Sequence, residues 1–161
     1  MKKETMSFGY EVYDSSDDLN ADDALLIDTA RKITATAYAP YSNFKVGAAA
    51  RLVNGEIVSG TNQENASYPV GICAERVLLG TAAVLHPGMP IETLAVSYKN
   101  GNGESIKPAS PCGMCRQALK EFEDRTASPV RLILGGQTGK VYVIESASQL
   151  LPFSFGGADL E

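Results

Sequence analysis

The sequence predicts an α/β protein, a three-layer α/β/α sandwich in which a mixed sheet of about five strands carries helices on both faces. Three observations predict it. The apolar periodicity changes along the chain in the order helix, hairpin, helix, strand, helix, strand, strand. Asn54-Gly55 stands between two alternating runs, a strong two-residue hairpin signal. Two of the expected helices begin at cysteines, each just after a loop leaving a strand, which is where sites in α/β sheets gather. The 161 residues suffice for one such domain with a sizeable core and are too few for two.

Residues 1–20 carry Lys2, Lys3, Asp14, Asp17 and Asp18 without lasting periodicity and read as a leader or arm; residues 21–161 read as a single domain. Within the arm, Phe8, Tyr10 and Val12 alternate as an extended strip. Asn20 or Asp22 can cap a helix running to about Tyr38, with Leu26, Ala30, Ile33 and Ala37 at helical spacing, and Pro40 stops it. Val46, Ala48, Ala50 and Leu52 alternate as one face of a strand, and Glu56–Asn62 return from the hairpin. Cys73–Leu85 is apolar nearly all round, which predicts a buried central helix ending at Pro87-Gly88. Thr93–Lys99 reads as a strand and Asn100-Gly101-Asn102-Gly103 as a loop. A helix over Cys112–Asp124 turns Leu119 and Phe122 inward. Short strands at Val130–Leu134 and Lys140–Ile144 follow, then a last helical turn to Leu150 that Ser146 can cap.

Composition narrows the function. Hydrophobic residues make up 44% and charged residues 20%, as in an ordinary globular protein. The net charge of −5 opposes polynucleotide binding, which needs clustered Lys and Arg to release counterions. No apolar run reaches membrane-spanning length and the N-terminus lacks a secretory core, so a cytoplasmic protein without membrane contact is expected. Three cysteines would leave one unpaired in a disulfide framework. A reducing compartment keeps all three free for a metal.

Those cysteines are Cys73, two residues before Glu75, and the pair in Pro111-Cys112-Gly113-Met114-Cys115. If Pro111 opens a helix, Cys112 and Cys115 share a face near its positive end, where thiolate is favoured over thiol. Three thiolates can fill three corners of a zinc tetrahedron, and no fourth cysteine closes it. His86, at the far end of the Cys73 helix, is too distant to do so and reads as a helix-end residue. An open corner admits solvent, and Glu75 is close enough to exchange protons with it. The order Cys-x-Glu, then Pro-Cys-x-x-Cys, follows the described signature of zinc deaminases.

Four segments in the same order, Ala39-Pro40-Tyr41-Ser42-Asn43-Phe44, Asn62-Gln63-Glu64-Asn65-Ala66-Ser67-Tyr68, Cys73-Ala74-Glu75-Arg76 and Pro111–Gln117, resemble the small homotetrameric cytidine deaminases. The resemblance runs from about Leu25 to Phe155. It implies an α/β/α domain with one zinc (Zn2+) per subunit and a homotetramer whose sites are completed across subunits. It also implies hydrolytic deamination of cytidine and 2′-deoxycytidine, with ammonia released, in pyrimidine salvage. On matching positions it makes Cys73, Cys112 and Cys115 the zinc ligands, Glu75 the proton shuttle, and Arg76 a donor to the ligand sulfurs that draws charge off the metal. Asn62 and Glu64 would bind ribose hydroxyls, Phe44 would pack on the pyrimidine, and the Ala74 N–H would bind its carbonyl. Tyr68 would serve the pocket rim or the subunit interface. Phe155, with Phe153 as its competitor, would reach a neighbouring subunit's base. A sister deaminase of a cytosine nucleoside antibiotic of the blasticidin S type shares the Cys-Ala-Glu and Pro-Cys-Gly core. A non-catalytic zinc-stabilised interaction module is opposed by Glu75 and the open corner.

Overall fold

The computed structural model describes residues 1–160. A single six-stranded sheet has the order β1-β6-β5-β4-β2-β3, with β1 Glu11–Tyr13, β2 Phe44–Leu52, β3 Ile57–Thr61, β4 Ile91–Asn100, β5 Arg131–Gly135 and β6 Val141–Ile144. Among the strands of the described residues, only β4 and β5 pair in parallel. Helices α1 (Ala21–Ile33), α2 (Ala74–Leu85) and α3 (Gly113–Thr126) complete the domain. The strand count is six where about five were expected, because residues 11–13 of the arm add an edge strand against β6.

Successive strand residues point to opposite faces, so each central strand feeds two cores. Ala48, Ala50 and Leu52 of β2, Leu94 and Val96 of β4 and Leu132 and Leu134 of β5 pack with Leu78 of α2 and Leu119 and Phe122 of α3. Ala49, Ala95 and Ile133 face the other way, onto Leu26, Ile27 and Ala30 of α1. Asp23, buried in α1, pairs with Arg131 at 2.8 Å and lies 3.8 Å from Arg51, fastening that helix to two strands.

Asn20, not Asp22, caps α1 by accepting from the Asp23 N–H, and the helix gives way after Ile33 to a 3₁₀ turn over Thr34–Thr36. The Thr34 and Thr36 hydroxyls donate back to the Arg31 and Ile33 carbonyls there, a local competition with helical bonding that ends the helix short of Tyr38. The hairpin forms as expected, with Gly55 at φ +86° donating its N–H to the Leu52 carbonyl. Ser146 does not cap the last turn. The buried Glu123 carboxylate does so from α3, accepting from the Val130, Ala147 and Ser148 N–H groups and the Ser146 hydroxyl.

One close approach sets the height of α2 above the sheet. A Cβ on Gly60 of β3 would lie 2.6 Å from both the Ala74 carbonyl oxygen and the Leu78 nitrogen, so only glycine lets this helix settle where it does. Both obstacles are backbone atoms and cannot rotate away. Gly60→Ala is therefore expected to destabilise the fold by about 1–3 kcal/mol, the usual cost of overpacking, read as a lowered urea midpoint at unchanged m-value.

Candidate metal centre and active site

The carboxyl ends of β3 and β4 and the amino end of β2 lie at one edge of the sheet, because β2 runs antiparallel to both. Helix α2 follows β3, and α3 follows β4, so both helices begin at that edge. Backbone bonds between Gln63 and Ile72, at 2.9 and 3.0 Å, close the intervening loop and deliver Cys73 to the N-cap of α2. Cys112 is the N-cap of α3, so Pro111 precedes the helix and does not open it. Arg116 pins that start by donating from Nε to the Pro111 carbonyl at 2.8 Å and from Nη1 to the Leu150 carbonyl at 3.0 Å.

These two helix starts bring the three thiols together. Sγ of Cys73 lies 3.7 Å from Sγ of Cys112, which lies 3.5 Å from Sγ of Cys115, and all three fall within 4.8 Å of one another. A tetrahedral zinc with Zn–S distances of about 2.3 Å places its sulfurs about 3.8 Å apart, so the cluster fits that ion. His86 lies at the opposite end of α2, paired with Glu56 at 3.0 Å.

Beside the thiols opens a cavity of about 310 Å³ lined by Phe44, Asn62, Glu64, Tyr68, Cys73, Ala74, Glu75 and Cys112 among others. Glu75 is only 5% exposed, and burial raises its carboxyl pKa above the ordinary value against the opposing pull of hydrogen bonds from its own backbone and Cys115. The thiols bias one another. Hydrogen bonding from Cys115 holds Cys73 at about 6, and the same partnership, with burial, pushes Cys115 up. Toward the mouth, the Asn62 amide is locked across β2: its Nδ2 donates to the Phe44 carbonyl at 2.9 Å and its Oδ1 accepts from the Val46 N–H at 2.7 Å. Glu64 accepts from the Ser42 hydroxyl and from the Tyr41 and Ser42 N–H groups, and these bonds, the hydroxyl's first, hold its carboxyl below the usual value.

Residues 20–128 match the family description "Cytidine and deoxycytidylate deaminase zinc-binding region". A cytidine deaminase of Mycobacterium tuberculosis is 39% identical over 142 residues, covering 84% of this chain and 91% of the relative. That of Halalkalibacterium halodurans is 34% identical over 139 residues, with 86% and 98% covered. The chain belongs to the cytidine and deoxycytidylate deaminase family. The crystal structure of cytidine deaminase from Burkholderia pseudomallei superposes with a TM-score of 0.70 at 39% identity, covering 81% of this chain and 97% of that one.

Within this deaminase fold the remaining expected site residues scatter. Arg76 lies on the outer side of α2, in a shallow hollow with Ile72, Val77, Gly80, Thr81, Val84 and Leu85, and favours the Cys73 thiolate through its charge. Tyr68 stands at the rim, 76% exposed, with its ring edge-on to Tyr41 at 5.9 Å. Phe155 is exposed and outside this chain's cavity; its carbonyl accepts from Gln117 Nε2 at 2.9 Å, while Phe153 is 94% exposed. Three contributors went unnoticed in the sequence. Tyr98 stacks against Phe44 with ring centroids 4.7 Å apart, Arg116 pins the α3 start, and Ser42 clamps Glu64. Ser42 and Arg116 lie inside the matching segments, which could have marked them, whereas Tyr98 lies on β4 outside all four and carries no local signal.

Replacing Cys112 by Ala is expected to lower the zinc content of the purified protein, measured by atomic emission, because two thiols and no nearby imidazole make a poor site. In metal-free protein, Glu75→Gln is expected to raise stability at neutral pH. A folded-state pKa raised above the ordinary carboxyl value of 4.5 means that the ionised group opposes folding at higher pH. The advantage should vanish below about pH 4.5, where both states of the wild-type residue are protonated, and melting curves across pH would show it.

Proposed function

We propose that the protein is a zinc-dependent cytidine deaminase, converting cytidine and 2′-deoxycytidine to uridine and 2′-deoxyuridine with release of ammonia, with one zinc per subunit. The observation that carries this reading is the buried Glu75 carboxylate lining one cavity with the thiol cluster. Cys73, Cys112 and Cys115 would hold the metal, which when bound supplies Lewis-acid activation of a water molecule at neutral pH. Glu75 takes the proton that the attacking water gives up and passes it to N3 of the pyrimidine, making C4 electrophilic. Once the C4–O bond has formed, Glu75 moves the second water proton, now on the C4 hydroxyl, to the 4-amino group, leaving the oxygen's electron pair to form the C4 carbonyl. The C4–N bond then breaks and neutral ammonia leaves, so no amide-like anion has to form.

The surrounding residues bind and orient. Ala74 occupies the first turn of α2, where N–H groups lack helical partners, and its N–H suits the pyrimidine carbonyl. Phe44, braced from one side by Tyr98, offers its ring to the base. Asn62 has one N–H to spare after its two backbone bonds, and Glu64 has one acceptor position left after its three. One donor beside one acceptor complements a single hydroxyl, which both accepts and donates. A hydroxyl common to cytidine and 2′-deoxycytidine would let both enter. No lysine or arginine lines the cavity or the adjoining hollow of Tyr41, Ser42, Glu64, Asn65, Tyr68 and Gly71 among the described residues, which favours a nucleoside over a nucleotide. Three thiolates around a dication carry a formal −1, and Arg76 supplies nearby compensating charge.

The exposed apolar side of α2, with Val84 77% and Leu85 63% exposed, supports self-association into a homotetramer in which Phe155 reaches a neighbouring site. We further assign residues 21–161 to the deaminase domain and place the enzyme in the cytoplasm, in pyrimidine salvage, where the thiols stay reduced.

Purified protein should consume cytidine and 2′-deoxycytidine, followed by the absorbance change on losing the amino group, and leave cytosine and cytidine monophosphate intact. Preference for blasticidin S would turn the assignment to the antibiotic deaminases. Glu75→Gln should keep zinc and bind nucleoside yet lose at least ~10²–10⁴-fold in turnover, the range for a positioned acid-base, and near-normal turnover would refute its role.

A further inference from the structure

We infer that Ser42 is the positioning residue of the sugar-binding end: its hydroxyl fixes the Glu64 carboxylate so that one acceptor position, and only one, is left for substrate. The inference rests on the reading of Glu64 as a sugar contact and adds what makes that contact specific. Ser42 is exposed, yet each of its polar groups is engaged. Its hydroxyl donates to Oε1 of Glu64 and accepts from the Phe44 N–H at 3.0 Å, its own N–H donates to Oε2 of Glu64 at 3.2 Å, and its carbonyl accepts from Asn102 Nδ2 at 2.9 Å. One residue thereby joins the carboxylate that would read the sugar to the strand start that would carry the base.

The turn bearing Ser42 is held from behind. Asn43, at φ +54°, donates from Nδ2 to Oδ1 of Asn102 at 3.1 Å, and its carbonyl accepts from the Gly101 N–H at 2.9 Å. A Cβ on Gly101 would fall 2.1 Å from the Asn43 amide nitrogen, so the loop after β4 presses directly on this turn. Glu64 is held at its other end too, its backbone N–H donating to the Tyr38 carbonyl at 2.8 Å.

A carboxylate offers about four acceptor positions. Three are filled here, two by backbone N–H groups that any residue would supply and one by the Ser42 hydroxyl, which is the donor on Oε1. Removing that hydroxyl frees Oε1 to turn toward water while the backbone of the turn stays anchored by Asn102 and Gly101. The Phe44 N–H loses its acceptor as well, but Phe44 stays held by its pairing with Asn100 and by the Asn62 amide on its carbonyl, so the loss falls on the interaction with a sugar hydroxyl and spares the chemistry at C4.

The test is steady-state kinetics of Ser42→Ala, Ser42→Thr and Glu64→Gln with cytidine and with 2′,3′-dideoxycytidine, which lacks both ring hydroxyls. Ser42→Ala should raise KM for cytidine about 10-fold, as expected for loss of a charge-assisted hydrogen bond, leave kcat within about twofold, and change KM for the dideoxy compound by less than about twofold. Ser42→Thr, which keeps the hydroxyl, should restore the cytidine KM. An equal rise for both nucleosides would show a general disturbance of the turn and overturn the inference. So would an unchanged cytidine KM in Ser42→Ala beside a raised one in Glu64→Gln. An unchanged cytidine KM in Glu64→Gln would remove the sugar-contact reading itself, and the inference with it.

Discussion

The contact among three sulfurs from two helix starts is the constraint on which the rest of the molecule turns. For Cys73 to come within 3.7 Å of Cys112, α2 and α3 must begin at the same edge of the sheet and at nearly the same height. The strand directions meet the first condition, since β3 and β4 both run toward that edge with the antiparallel β2 between them. Gly60 meets the second by letting α2 lie against β3, and Arg116 holds the α3 start from the other side. The same geometry gathers Phe44, Asn62 and Glu64, because the start of β2 and the end of β3 are what lies beside the helix starts.

The two faces of the sheet carry different burdens. On the α1 side, Asp23 between Arg131 and Arg51 and an apolar cluster around Leu26 and Ile27 hold the sheet, and neither the thiols nor the lining of the cavity beside them comes from that helix. On the other side, helix burial is combined with polar groups that are costly to bury. Glu75 is kept where desolvation disfavours its charge, so its carboxyl holds its proton to higher pH than an exposed one would.

How much of this was legible in the chain depends on how local each cause is. Cys73, Glu75, Cys112 and Cys115 could be read because their spacing within helix starts fixes their relation to one another, and the hairpin because Asn54-Gly55 encodes its own turn. The alternation of Phe8, Tyr10 and Val12 shows an extended strip, but not that residues 11–13 join the sheet, because their partner is β6, some 130 residues later. The last turn showed a local cap at Ser146, whereas the carboxylate that does the capping comes from Glu123 on α3. Ser42 and Asn102 lie 60 residues apart, and nothing in either segment announces their bond. Long-range polar pairings of this kind are written in the fold and not in any window of sequence.

The fastening of the C-terminal segment along α3 makes the two chain ends unequal as places to attach anything. Residues 1–10 are exposed; Lys2 bonds locally to Glu4, and Tyr10, at the end of the segment, leans its ring on Tyr142 of β6 with centroids 5.2 Å apart. Residues 147–155 instead lie as a splint on the helix that carries two of the three sulfurs, joined through Glu123 to Ala147 and Ser148, through Arg116 to Leu150 and through Gln117 to Phe155. A purification tag or fluorescent label therefore belongs at the front, since cargo hung on the rear would pull on the scaffold of the thiol cluster.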